Sequence, residues 1–317
     1  MSYNDLKSLC EEVYQLNFEP YLYGRKDLFT GVMAAYLSRG HVLVEGPPGT
    51  AKTLIAKLLA RTFSRSFKRI QFTDDLVPKQ VTGAHYWHQG KNEYKFQSGP
   101  LFSEIILADE INRAPPRTQS AFLEAMEERQ LSIEGNTLDL GENFFVVATQ
   151  NPSDYAGTHP LPDVQLDRFL FSFRLQHSTI DQEVLIVQKH LDNLLPPQLG
   201  TLKTFEFEMN KIQSLIRAVQ VDEKLIKKAA LIVQSTRNSP YFEKGASLRA
   251  ILAIVKGAQA HAAMQGRDHL VEEDIVSLAI PALRHRVTLS EAAKKTQRPV
   301  EGYIEEILTN LSLRKAA

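Results

Sequence analysis

A single cysteine, Cys10, among 317 residues excludes an intramolecular disulfide and any zinc site built on cysteine pairs. It reads as a small apolar residue on an amphipathic helix. No apolar run approaches the ~20 residues needed to cross a bilayer. The start, Met1-Ser2-Tyr3-Asn4-Asp5, lacks the basic stretch and apolar run of a secretory signal. A soluble, cytoplasmic protein is therefore expected. Net charge is also missing: Lys plus Arg and Asp plus Glu are 37 each. There is thus no global positive field of the kind that non-specific nucleic-acid binding exploits. No internal repeat or low-complexity tract is present.

What remains is an ordinary globular composition, 43% hydrophobic and 23% charged, long enough for about two domains. Apolar residues recur at helical spacing from Leu6 to Leu37, interrupted near Pro20 by a tyrosine-rich turn. Short apolar runs follow at His41–Glu45, Arg69–Phe72, Glu104–Ala108, Asn143–Thr149 and Arg168–Phe173, with helical patterns between most of them. Strands apolar on both faces that alternate with helices predict a parallel sheet covered on both sides. Beyond Leu195-Pro196-Pro197 and Gly200, which read as a linker, nearly everything is helix-patterned, most clearly Val221–Gln234, Leu248–Met264 and Val271–Leu283. The expected architecture is an α/β domain over residues 1–190 and a smaller all-helical domain over 191–317, linker included.

The run His41–Glu45 leads directly into Gly46-Pro47-Pro48-Gly49-Thr50-Ala51-Lys52-Thr53, and a helical pattern starts at Leu54. Strand, glycine loop and helix together make an anion site, because backbone N–H groups at a helix N-terminus hold phosphates cheaply. Lys52 would reach the β- and γ-phosphates, and the Thr53 hydroxyl would ligate Mg²⁺. The usual pattern has glycine before the lysine, where this chain has Ala51. A methyl group there predicts that residue 51 keeps a negative φ.

About sixty residues later, Ile105-Ile106-Leu107-Ala108 ends in Asp109-Glu110. An aspartate at the end of such a strand can hold Mg²⁺ through water opposite Thr53. The next glutamate can polarise the attacking water. The pair favours hydrolysis of ATP over phosphoryl transfer to a small substrate.

GHVLVEGPPGTAKT from Gly40, LADEINRAPPRTQSAFLEAMEERQ from Leu107, ATQNP from Ala148 and LPDVQLDRF from Leu161 closely resemble the MoxR group of AAA+ ATPases. The resemblance runs from about Tyr23 to Arg286 and makes alanine before the loop lysine unremarkable. It implies a P-loop AAA+ core followed by a helical lid, and an ATP site that includes Tyr23, Gly24 and the loop as far as Leu54. By that likeness Asn151 is sensor 1, Arg168 is an arginine finger for a neighbouring subunit, and Arg249, in the first turn after a Ser247 N-cap, is sensor 2. Families with an extra helix before this element can present sensor 2 in trans, and Lys203–Phe207 could begin such a rearrangement. Whether Arg249 serves its own or a neighbouring subunit stays open.

Residues 73–99 resemble the family's helix-2 insertion, whose Tyr86, Trp87, Tyr94 and Phe96 could grip a substrate in a pore or fill a core. Residues 131–140, with Gly135-Asn136, resemble the hairpin before sensor 1. His85 and His88 have metal-like spacing, but nothing else supplies ligands. The resemblance implies a homo-oligomeric ring, expected to be a hexamer, that spends ATP on remodelling or maturing a partner complex. Such partners often bear a von Willebrand factor A domain. A nucleic-acid motor and a chelatase-type motor subunit for metal insertion are the alternatives.

Overall fold

The computed structural model describes residues 1–47, 49–133, 135–151, 157–177, 179–191 and 202–313. The linker residues Leu195-Pro196-Pro197 and Gly200 lie outside these. Two helices, α1 (Tyr3–Val13) and α2 (Lys26–Leu37), precede β1 (Val42–Glu45), and α3 (Lys52–Thr62) leads to β2 (Phe67–Gln71). The insertion forms α4 (Pro78–Thr82) and a hairpin of β3 (Gly83–His88) and β4 (Glu93–Ser98). Then come β5 (Ile105–Asp109), α5 (Pro116–Glu128), a second hairpin of β6 (Gln130–Ile133) and β7 (Asn136–Asp139), β8 (Phe145–Gln150), α6 (Asp163–Leu166), β9 (Phe171–Arg174) and α7 (Ile180–Leu191).

Five of these strands form one parallel sheet in the order β2-β5-β8-β1-β9. Every residue of β5 is buried, as a doubly covered strand requires. Alternation along the strands divides the core in two: Val42, Val44, Ile105 and Leu107 enter one apolar cluster, whereas Leu43, Ile106 and Ala108 enter the other. The run expected to start at Arg168 becomes a strand only at Phe171. Arg168 N and Phe169 N close turns onto Gln165 O and Leu166 O, and Leu170 N donates across to His41 O.

The C-terminal part holds α8 (Met209–Ala218), α9 (Glu223–Asn238), β10 (Phe242–Lys244), α10 (Leu248–Met264), α11 (Glu272–Leu283), β11 (Thr288–Leu289), α12 (Glu291–Lys295) and α13 (Val300–Leu313). It is helical apart from the antiparallel β10–β11 ribbon. It also shares its core with the α/β part, since Ala250, Ile254 and Ala258 of α10 belong to the same cluster as Val42 and Phe171. Gly257 makes this approach possible: a Cβ there would lie 2.3 Å from the Phe171 ring. Residues 203–207 carry no regular structure and run along α3, with Phe205 N donating to Thr62 O and Phe207 packed 5.0 Å from the Phe63 ring. They lead to α8, which rests on α2 and α10. No helix among the described residues is long and apolar enough to cross a membrane.

Candidate functional site

Because β5, β8 and β1 are adjacent and parallel, the Asp109-Glu110 pair, Asn151 and the glycine loop all emerge at the same edge of the sheet. Crevices outside the carboxyl ends of such strands are where open α/β sheets bind ligands. Gly46 (φ +157°) leaves β1 with its Cα tight against Leu175, where a Cβ would meet the carbonyl oxygen at 2.7 Å. Thr50 Oγ1 donates to Pro47 O at 2.8 Å, and Lys52 Nζ folds back onto Gly46 O. Pro48 lies outside the described residues.

Gly49 and Ala51 both have left-handed φ, +81° and +65°. The expected negative φ at residue 51 is therefore corrected. The loop must turn its N–H groups toward one centre before α3 starts at Lys52, and a left-handed residue at the N-cap does so. An alanine there costs ~1–2 kcal/mol; the methyl is half-buried against the core, beside Leu54, which offsets part of that cost. Thr53 follows in the first turn of α3.

Gly24 sits on the rim of a cavity of about 800 Å³ beside this loop, with Phe173, Leu175, Gln182 and Pro281 among its walls; Tyr23 precedes it in the chain and is not part of the lining. Gln182 Nε2 donates to Tyr23 O at 3.1 Å, and Gly24 takes a left-handed φ of +66° against the same side chain. Leu175 borders both the cavity and Gly46, so a base in the cavity and phosphates in the loop are compatible with one nucleotide.

Asp109 is buried and both its oxygens are engaged. Oδ1 accepts from Thr149 Oγ1 at 2.6 Å, and Oδ2 accepts from Arg69 Nη2 at 2.6 Å and Nε at 3.0 Å. Glu110 has a left-handed backbone (φ 57°, ψ 49°), a strained conformation for a non-glycine residue. Its N–H donates to Thr149 Oγ1 at 3.0 Å, and its Oε2 accepts from Gln71 Nε2 at 3.0 Å and Arg113 Nη1 at 3.1 Å. Thr149, Arg69, Gln71 and Arg113 escaped the sequence reading. Thr149 belongs to the ATQNP motif, two residues before Asn151.

The donor set fits Mg-ATP: N–H groups at a helix start, a lysine, a hydroxyl at Thr53 and a carboxylate at Asp109. Among the described residues no group of three or more His, Cys, Asp or Glu forms a separate metal site. His85 and His88, three apart on β3, face opposite sides of the strand.

Arg168 and Arg249 are not at this edge. Leu170 N donates to His41 O at 2.8 Å, which places the Arg168 turn at the start of β1, whereas the loop leaves its end. Asp167 does not pair with its neighbour Arg168; it takes Arg286 Nε at 2.5 Å and Ser247 Oγ at 3.1 Å. Ser247 caps α10 by accepting from Arg249 N at 3.1 Å, as expected. Arg168 Nε and Arg249 Nη2 both meet Glu127, at 2.9 and 3.0 Å. The two arginines thus share one carboxylate.

The insertion's aromatics divide. Tyr86, Trp87 and Tyr94 are exposed by 44, 46 and 71%, whereas Phe96 packs against Phe102. A core role is therefore ruled out for the first three.

A parallel sheet with the glycine loop and Asp-Glu pair at one edge, followed by a helical lid, defines a P-loop ATPase of the AAA+ class. Residues 41–171 match the family model "ATPase family associated with various cellular activities (AAA)", and residues 234–307 match that of the AAA lid domain. The chain is 36% identical to Chaperone MoxR1 of Mycobacterium tuberculosis over 92% of its length and 78% of that protein. It is 41% identical to protein YeaC of Bacillus subtilis over 90% of this chain and 89% of the relative. A crystal structure of a candidate ATPase from Cytophaga hutchinsonii superposes with a TM-score of 0.85, at 33% identity, covering 97% of this chain and 95% of that one. The chain belongs to the MoxR family of AAA+ ATPases.

Proposed function

We propose that the chain is the subunit of a homo-oligomeric ring, a hexamer by family resemblance, in which each ATP is bound by one copy and completed by the next. The backbone N–H groups of Gly46 and residues 49–54 and the Lys52 ammonium hold the phosphates, and Tyr23 and Gly24 border the base. Mg²⁺, held between Thr53 and Asp109, supplies charge neutralisation on the phosphate oxygens when bound. Glu110 takes the proton of the attacking water, and Asn151 orients that water.

One observation carries the shared site: Arg168 stands at the opposite end of the strands from the loop of its own chain. The rise from His41 to Gly46, about five residues at ~3.3 Å each, is ~16 Å. That is well beyond the length of an arginine side chain. Arg249 shares Glu127 with Arg168, so it belongs to the same remote edge. In this reading both arginines serve the triphosphate of a neighbouring copy, so that sensor 2 acts in trans.

The work done is remodelling or maturation of a partner protein complex, the family resemblance pointing to partners with a von Willebrand factor A domain. The exposed Trp87 and Tyr94, whose rings meet at 5.1 Å, form the contact with that client. The test is Glu110→Gln: ATP binding is retained, turnover falls at least ~100-fold, and the trapped state captures the client. Unchanged turnover in a folded Glu110→Gln protein refutes the catalytic assignment.

A further inference from the structure

Resting on the shared-site reading above, we propose that Glu127 is a positioning residue for the trans half of the site, holding Arg168 and Arg249 as one unit so that both guanidiniums meet the same phosphate of the neighbouring copy. The carboxylate joins two segments far apart in the chain: Oε2 lies 2.9 Å from Arg168 Nε in the turn before β9, and Oε1 accepts from Arg249 Nη2 at 3.0 Å in the first turn of α10.

The choice of contact atoms decides between positioning and blocking. Glu127 lies against Arg168 at Nε, on the edge nearest the stem, as an ion pair without hydrogen-bond geometry, and accepts a hydrogen bond from a single Nη of Arg249. Both Nη groups of Arg168, and Nη1 of Arg249, remain for a phosphate, whose bidentate recognition needs them. The half-exposed Arg249–Glu127 pair is worth only ~0–1 kcal/mol, too little to act as a lock. Its value is geometric.

The surroundings make the carboxylate necessary. The cleft around it, about 450 Å³, also carries Arg39, Arg129, Lys256 and Arg286. The other carboxylate in its lining, Asp167, is committed to Arg286 and Ser247. Burial, and then Arg129, Arg39 and Arg217, push the Lys256 ammonium below its ordinary range, a sign of how positive this cleft is. Removal of the Glu127 charge leaves Arg168 and Arg249 to repel each other and splay.

Glu127 is itself held firmly. Val146 N donates to His41 Nδ1 at 3.0 Å, so the other ring nitrogen carries the proton and donates to Met126 O, also at 3.0 Å. Arg129, left-handed at the end of α5, donates to Phe144 O at 2.9 Å and Arg39 O at 2.7 Å. The residues on each side of the Glu127–Glu128 pair are therefore pinned to the sheet.

The experiment measures ATP turnover and KM in assembled rings of Glu127→Ala and the near-isosteric Glu127→Gln, alone and combined with Arg168→Ala, with thermal melting as the check on folding. Glu127→Ala should lower kcat about 10–100-fold, as misplacement of a catalytic group does. KM for ATP should stay within about twofold, because ground-state binding is untouched. Glu127→Gln should fall between Ala and wild type. In the Arg168→Ala background the Glu127 substitution should cost less than about threefold more, since the group it positions is gone. Wild-type kcat in Glu127→Gln and Glu127→Ala rings overturns the proposal, and so does an equal loss with and without Arg168. If Arg168→Ala alone keeps full turnover, the shared-site reading fails first, which is a distinct result.

Discussion

Thr149 Oγ1 stands 2.6 Å from Asp109 Oδ1, and the same oxygen receives the N–H of Glu110. One fully buried hydroxyl on β8 thus fixes both the carboxylate assigned to Mg²⁺ and the backbone of the proposed catalytic base. Thr149→Val keeps the shape and removes the hydroxyl, leaving a buried carboxylate oxygen and an N–H short of a partner. The expected cost is ~1–3 kcal/mol of stability, with a turnover loss of at least ~10-fold if the strained Glu110 backbone relaxes. Thr149→Ser should recover most of both. Denaturation curves and kcat on the three proteins check this.

Arg69 donates twice to Asp109 Oδ2, the oxygen left over by Thr149. Mg²⁺ held through water at Asp109 must share or displace that guanidinium. Because Arg69 is half exposed, the pair is worth only ~0.5–1 kcal/mol. Arg69→Ala is therefore expected to lower the Mg²⁺ concentration for half-maximal turnover about two- to fivefold. A magnesium titration of turnover checks it, and Mn²⁺ binding in the absence of nucleotide gives a readout independent of activity.

Ala51 carries its methyl at φ +65°. Ala51→Gly relieves that conformation but adds chain entropy to the unfolded state, so its stability should lie within ~1 kcal/mol of wild type. Ala51→Val places a β-branched residue in the left-handed region and should cost more than ~2 kcal/mol. Urea unfolding midpoints measure the difference.

Asp274 sets an acid limit for the lid. Burial pushes its carboxyl up, but hydrogen bonds from Arg267, His261 and the Val271 N–H outweigh it and bring the pKa down to about 2. A folded value below the unfolded one means that the stabilisation is complete above about pH 4 and is lost as pH falls toward 2. Its size is on the order of 2 kcal/mol. Asp274→Asn should lower stability at pH 7 by at least that much, with a flatter acid slope of the unfolding free energy between pH 4 and 2. Unfolding titrations at several pH values test both.

The features legible in the sequence were local. The glycine loop, the strand ending in Asp109-Glu110, the Ser247 cap and the span of α10 each follow from short-range spacing and cap chemistry, and α10 begins and ends where its pattern does. The polar network around the carboxylates was not legible, because it depends on register: Gln71 lies opposite Asp109, and Thr149 lies opposite Val44. Nothing in a linear pattern says which side chains of neighbouring parallel strands meet. Glu127 was hidden for a similar reason, being one of four glutamates in residues 110–128 and singled out only by where α10 docks. The left-handed Ala51 was misread because a local preference yielded to the needs of the loop. The shared core of lid and sheet rests on Gly257 meeting Phe171, a contact between residues 86 positions apart.

The most direct measurement of the shared site is turnover in mixed rings. Lys52→Ala subunits keep their arginines but cannot hold ATP productively, and Arg168→Ala or Arg249→Ala subunits keep the loop but cannot complete a neighbour. Each population alone should be nearly inactive. Mixed, they create interfaces with an intact loop on one copy and intact arginines on the next, and a substantial fraction of wild-type turnover should return for both arginine variants. No recovery in either mixture, with every subunit folded and assembled, contradicts action in trans.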